Sequence, residues 1–335
     1  MPSFTDEQSR ALANLAQHYD AWVGYARRMR GLAYGMGWKT IAGKEYLYEI
    51  RDRAGNATSL GPRSPENEVR FNAYQETKDD LKERTRSSRA RIEETSAICR
   101  ALRVPLLNKH AAEALAQFDV NEALGPAILV AGTNAMPAYS IEANRRLVEG
   151  GDLATDDCDL VWAADSTTLL VLEHGKSILQ TLKEVDETYT VNEERPFQIR
   201  NRAAYEVEIL VPPSRRGTLP ARDRLKPVPM PEVEWLLPGE RVEQVVPARG
   251  GGAARVVAPD PRWFAVQKLW LSAQAKRSRL KASKDHRQAE ALLDACVEGY
   301  LPRHRLTREF VAELPDELRP IWNRWADERG FSPAA

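Results

Sequence analysis

The chain has 335 residues, 43% hydrophobic and 29% charged, with Lys+Arg and Asp+Glu both at 48. That is enough apolar material for one large or two ordinary packed domains, and it argues against a disordered chain. The charges cancel, so no global field draws the protein to nucleic acid or membrane, and any such attraction has to be local.

Residues 5–34 read as a helix. Thr5 and Gln8 form a capping box, and Leu12, Leu15, Ala16, Tyr19, Trp22 and Val23 recur at helical spacing. Tyr46-Leu47-Tyr48-Glu49-Ile50 alternates and Arg53-Ala54-Gly55-Asn56 reads as a turn, which predicts a β-hairpin near 45–61. A charge-rich helix over about 67–102 follows, its signs mixed as on a solvated face, and then a shorter helix over 108–118.

The middle changes character. Residues 127–131 are a short apolar run, like a strand buried on both faces, ending in Gly132-Thr133-Asn134-Ala135. A helix over 135–148 leads to Thr155-Asp156-Asp157-Cys158-Asp159-Leu160, read as the start of a strand. Asp157 and Asp159 share one face of it and Cys158 takes the other. A helix over 170–185 and strands at 197–200 and 205–211 complete an α/β alternation. After a Pro- and Arg-rich loop over 214–231, residues 235–237, 242–246 and 255–257 read as short strands. Pro259-Asp260-Pro261 sets up a helix over 262–276. A second helix runs over 283–297, and the tail 305–329 is helical with breaks near Pro315 and Pro320.

Cys99, Cys158 and Cys296 lie far apart without paired spacing, which suits reduced thiols rather than a disulfide framework or zinc site. The opening Met1-Pro2-Ser3-Phe4-Thr5-Asp6 has neither the basic start nor the apolar run of a signal peptide. No apolar stretch is long enough to span a bilayer. The expectation is a cytoplasmic protein without membrane partners.

Three features carry chemistry. Asp157 and Asp159 at the mouth of a buried strand are costly unless a cation lies between them, and hard carboxylate oxygens suit Mg2+; a polar strand entry is the alternative. Glu208 lies among Val207, Ile209 and Leu210, which is unusual for an acid without a partner. Glu206 shares its face and competes for the role, unless both glutamates simply face solvent. Gly132-Thr133, where a strand meets a helix, can bring backbone close to a phosphate or can be mere turn geometry. Three carboxylates on neighbouring strands are what two-metal phosphoryl chemistry requires, the ions lying roughly 3.5–4 Å apart.

Gly-Thr, then Asp-x-Asp on a strand, then a further acid on a later strand resembles the nucleotidyltransferase superfold of DNA polymerase beta. Within it the chain is similar to a bacterial group of nucleotidyltransferase-like proteins, the GSU-type. The matching pieces include Val130-Ala131-Gly132-Thr133-Asn134-Ala135, Thr155-Asp156-Asp157-Cys158-Asp159-Leu160 and Val207-Glu208-Ile209-Leu210. Pro261-Arg262-Trp263-Phe264-Ala265-Val266-Gln267-Lys268-Leu269 and Lys281-Ala282-Ser283-Lys284-Asp285-His286-Arg287 also match, as does the hairpin's Leu60-Gly61-Pro62-Arg63-Ser64. The order also resembles the nucleotidyltransferase toxins of toxin–antitoxin systems. The chain departs from the superfold in having Gly132-Thr133 for Gly-Gly or Gly-Ser and Glu208 for Asp. The gap between Gly132 and Asp157 is long, and Gln267 stands where the family has His.

The resemblance implies a mixed α/β fold with a small mixed sheet flanked by helices. It implies a helical N-terminal region over 1–110 with a hairpin, a catalytic domain over 111–258 and a helical C-terminal domain over 259–335. It implies transfer of a nucleoside monophosphate from an NTP such as ATP to a hydroxyl of RNA, tRNA or protein, with release of pyrophosphate. A non-catalytic nucleotide-binding or toxin–antitoxin module is the alternative. Asp157, Asp159 and Glu208 would hold Mg2+ or Mn2+. Gly132, Thr133, Asn134, Lys268, Lys284 and Asp285 would bind the nucleotide. Basic groups at Arg215, Arg216, Arg222, Arg224 and Lys226, and at 276–287, could hold a polyanionic acceptor or simply keep the surface soluble.

Overall fold

The computed structural model describes residues 2–52, 54–149, 155, 157–168, 177–219 and 224–333. The chain divides into two units, one of residues 1–16 and 94–335, the other of residues 17–93. The boundaries fall inside the two long helices, α1 (Asp6–Gly31) and α2 (Pro65–Ala101). The capping box at the start of α1 is present in both directions: Thr5 N–H donates to Gln8 Oε1 at 2.8 Å and Gln8 N–H to Thr5 Oγ1 at 3.2 Å.

In the smaller unit the expected hairpin is β2 (Lys44–Ile50) and β3 (Ala57–Pro62), with a further strand, β1 (Gly35–Ile41), before it. They form an antiparallel sheet in the order β1-β2-β3. The sequence pattern misses β1 because Gly35, Gly37 and an exposed Lys39-Thr40-Ile41 end hide its alternation.

The larger unit holds a five-stranded mixed sheet. Its strands are β4 (Ile128–Val130), β5 (Asp157–Trp162), β6 (Thr190–Val191), β7 (Gln198–Arg200) and β8 (Glu206–Leu210). Their order is β4-β5-β8-β7-β6; β5 and β8 run parallel and the other neighbours antiparallel. Cys158, Leu160, Val207 and Ile209 fill one face of the central pair and are almost wholly buried. A separate antiparallel ribbon, β9 (Val242–Pro247) and β10 (Ala253–Ala258), packs on α3 (Lys109–Val120) and α4 (Met136–Glu142).

Several expectations change in detail. The helix expected to reach residue 148 ends at Glu142, where Asn144 turns into the left-handed region at φ +50°. Trp235 and Leu236 end a 3-10 turn, Pro231–Leu236, and Leu237 caps it, because a proline at its start fixes helical φ. The helix expected over 170–185 is seen as α5 (Ile178–Val185), capped by Ser177 and Gln180, its earlier part lying outside the described residues. Pro320 opens a helix rather than breaking one, sitting in the first turn of α9 (Arg319–Arg329), which follows α8 (Arg308–Glu313). Among the described residues no helix is long and apolar enough to cross a membrane.

Two helices pack against each other, α6 (Pro261–Ser272) and α7 (Arg279–Val297). The start of α6 is pinned by Asp260, fully buried, whose carboxylate accepts Arg262 N–H at 2.9 Å, Glu240 N–H at 3.0 Å and the Arg262 guanidinium at 2.7 Å. Removing one member of a buried, hydrogen-bonded ion pair strands the other, and this one also caps the helix that carries Lys268. Asp260→Ala is therefore expected to destabilise the protein by about 3–5 kcal/mol in urea unfolding; a loss below about 1 kcal/mol would show that α6 is held by packing alone.

Candidate active site

Asp157 and Asp159 lie on β5 and Glu206 and Glu208 on β8. The parallel register pairs Asp157 with Glu206 and Asp159 with Glu208. Laterally paired residues project to the same side of a sheet, so Glu208 shares the face of both aspartates. All four acids are half-buried. β7 adds Gln198, the register partner of Glu208, whose Nε2 donates to Glu208 Oε1 at 2.5 Å. Glu206 instead faces Arg200, with Nε 3.9 Å from Oε1, which leaves Glu208 as the acid beside Asp159.

Gly132 closes the site from β4. Ala131 N–H donates to the Asp159 carbonyl at 2.9 Å, which ties the turn after β4 to β5. Gly132 follows at φ +58°, and a Cβ there would fall 1.9 Å from Asp159 Oδ2. Both the backbone angle and this approach demand glycine. Residues 132–135 make a 3-10 turn and α4 has only 7 residues. A phosphate here would thus rely on the groups of the turn itself rather than on a long helix dipole. Thr133 and Asn134 are buried in that turn, and Asn134 Nδ2 donates to the Asp157 carbonyl at 2.8 Å. The Thr155 hydroxyl donates to the Asp157 carboxylate.

The electrostatics follow from this crowding. Burial, then the charges of Asp157 and Glu208, push the Asp159 carboxyl up to about 7, against the pull of Lys268 and Lys281. Among the described residues no three His, Cys, Asp or Glu side chains already close around a point that would hold a metal ion. The acids share a face without converging. Their donor chemistry nonetheless fits a hard divalent cation, because all the ligand atoms are carboxylate oxygens and Asp159 gains from a nearby positive charge.

Lys268 and Asp285 lie on α6 and α7 and are both buried. Lys268 Nζ donates to Asp285 Oδ1 at 2.5 Å. Arg277, in the link between the helices, binds the other oxygen at 2.6 Å. In sequence Arg277 is only one member of the basic run at 276–287, so this link is not legible there. Lys281 is exposed on the first turn of α7 and Lys284 half-buried one turn on. Gln198 and Thr155 were also missed, although the Phe197-Gln198-Ile199 alternation already puts Gln198 on the polar face. Gln267, in place of the expected His, donates to the Glu232 carbonyl at 3.0 Å. A groove of about 700 Å³ lined in part by Phe4, Arg103, Arg146, Arg287 and Arg329 contains none of these residues.

Residues 109–309 match a family model described as Nucleotidyltransferase. The chain belongs to that nucleotidyltransferase family. The match spans α3, the whole carboxylate face and the α6–α7 pair. The crystal structure of an antigenic nucleotidyltransferase-like protein from Paracoccidioides brasiliensis is similar over 61% of this chain and 80% of that one, at 16% identity and a TM-score of 0.33. No curated protein matches the chain.

Two outcomes test this nucleotidyltransferase-family site without activity. An acid whose folded value lies above its unfolded one makes stability fall as pH rises between them, here from about 4 to about 7. In chelator, the melting temperature of Asp159→Asn minus that of wild type should therefore grow from pH 5 to pH 8; a flat difference contradicts the crowding. Gly132→Ala should lose at least about 1–2 kcal/mol from the left-handed backbone alone. Because the added methyl strikes the Asp159 carboxylate, the double variant with Asp159→Ala should be more stable than the sum of the single losses predicts.

Proposed function

We propose that the chain moves a nucleoside monophosphate from an NTP to a hydroxyl of an acceptor, RNA, tRNA or protein, and releases pyrophosphate. The observation that carries this reading is the pairing of Asp159 with Glu208 on one sheet face, with Gly132 packed against the Asp159 carboxylate. Asp157, Asp159 and Glu208 would hold Mg2+ or Mn2+, which supplies charge neutralisation at the phosphates when bound. Gly132 lets the turn after β4 lie directly against Asp159, and the groups of that turn, with Thr133 and Asn134, would meet the phosphates. The acceptor oxygen bonds to the α-phosphorus as the bond to the bridging oxygen breaks, and the acceptor proton passes to a carboxylate of the trio. Lys268 adds positive charge toward the triphosphate, and Asp285 keeps it in place rather than touching the nucleotide. The rate gain would come from positioning and charge stabilisation rather than covalent chemistry.

The test uses each of the four NTPs, labelled at the α-phosphate, with total cellular RNA and protein as acceptors and Mg2+ present. Wild type should transfer label and release pyrophosphate. Asp159→Asn should lower the rate by about 10²–10³-fold or more, the effect of removing one preorganised charge-stabilising group. Nucleotide binding without any transfer by wild type would sink the enzyme reading and leave a binding module.

A further inference from the structure

In the unit of residues 17–93 the two faces of the β1-β2-β3 sheet differ in chemistry, and register settles which residue lies where. Trp38 and Thr40 pair with Leu47 and Glu45, and Met36 with Glu49. This face turns toward α2. The Trp38 ring lies 5.9 Å from that of Phe71, Leu47 is fully buried, and Arg63 bridges Glu45 and Glu68. The opposite face carries Gly37, Lys39, Lys44, Tyr46 and Tyr48, with Ile41 and Ile50 toward its two ends and Ser59 of β3 beside Tyr48. Both acids of β2 are on the α2 side, so the strand residues of the outer face include no carboxylate.

Tyr46 and Tyr48 stand two apart on one strand and therefore side by side. Lys39 is opposite Tyr46, and its ammonium lies 5.7 Å from the centre of the Tyr48 ring. Opposite Tyr48 stands Gly37, where an added Cβ would meet no atom within 4 Å. The surface beside that ring is open.

We propose that this face holds single-stranded nucleic acid, with bases on Tyr46 and Tyr48 and phosphates against Lys39 and Lys44. An unpaired strand needs flat π faces that accept any base and cations for its backbone, and the sheet supplies both without an opposing acid. A duplex hides its base faces. A purely anionic partner, such as a lipid surface, would use the lysines but not two rings flanked by glycine and serine. The inference deepens the proposed function by favouring a nucleic acid over a protein as the acceptor and rests on that reading for the link to transfer. Binding itself needs neither NTP nor metal, so either can fail without the other.

The experiment is fluorescence anisotropy of the full chain with a labelled oligouridine of about 12 nucleotides, within the usual site size of such surfaces, in chelator and without NTP. Wild type should bind, more weakly as salt rises. Tyr46→Ala and Tyr48→Ala should each weaken binding by about 5- to 100-fold, while Tyr→Phe at either position keeps it. Gly37→Glu puts a carboxylate into open space, should weaken binding too, and replaces the tyrosine variants should they not fold. Heparin, which offers charge without bases, should be indifferent to Tyr48→Ala. RNA affinity unchanged in Gly37→Glu and both alanine variants, or anionic vesicles bound as tightly as RNA, would overturn the proposal.

Discussion

Like charges held together on one sheet face are the constraint on which the candidate site depends. Parallel pairing of β5 with β8 sets Asp159 beside Glu208, and alternation along β5 adds Asp157. Gly132 then lets the turn after β4 press directly on the Asp159 carboxylate. Packing thus solves the geometry and leaves the repulsion standing, which is why burial and its neighbours carry the Asp159 carboxyl up to about 7. The lysines that oppose this shift, Lys268 and Lys281, only reduce it. A site that stays short of positive charge is suited to a reaction that brings divalent cations along with a polyanionic substrate.

Much of this was legible because it rests on short periods. Two-residue alternation fixed the shared face of Asp157 and Asp159 and the burial of Val207 and Ile209 behind Glu208. What alternation along single strands cannot give is the strand order. Nothing local says that β8 rather than β7 lies next to β5, and that choice alone brings Glu208 to Asp159. The same limit explains Arg277. In sequence it is one of several basic residues near 276–287, and only the packing of α6 on α7 gives it Asp285. Strand β1 was hidden for another reason: its glycines and exposed end carry little apolar signal, and the sheet forms because β2 offers it a complete ladder of partners.

The α6–α7 pair also clarifies what Asp285 does. A buried carboxylate that accepts Lys268 on one oxygen and Arg277 on the other has both oxygens engaged by cations from its own chain. Two cations and one anion leave one net positive charge, so the desolvation of Asp285 is offset and the surplus acts outward. The charge felt at Asp159 from Lys268 is therefore delivered by a fixed group rather than a flexible surface lysine. Asp285 behaves as the part that fixes Lys268, which separates it chemically from the carboxylates of the sheet.

The net charge of zero conceals how strongly the charges are sorted. One sheet face gathers Asp157, Asp159, Glu206 and Glu208, with Arg200 beside Glu206 at its edge, whereas the outer face of the other sheet gathers Lys39 and Lys44 around two tyrosines. Random placement of equal numbers of acids and bases would mix them, as α2 does with its short-range pairs Lys82–Asp79 and Arg84–Asp80. Such exposed pairs contribute little to stability, so mixing needs no special explanation. Segregation does, because like charges repel and the chain gains nothing from them when it folds alone. Such sorting is what the ligands proposed above would need, cations at one surface and phosphates at the other.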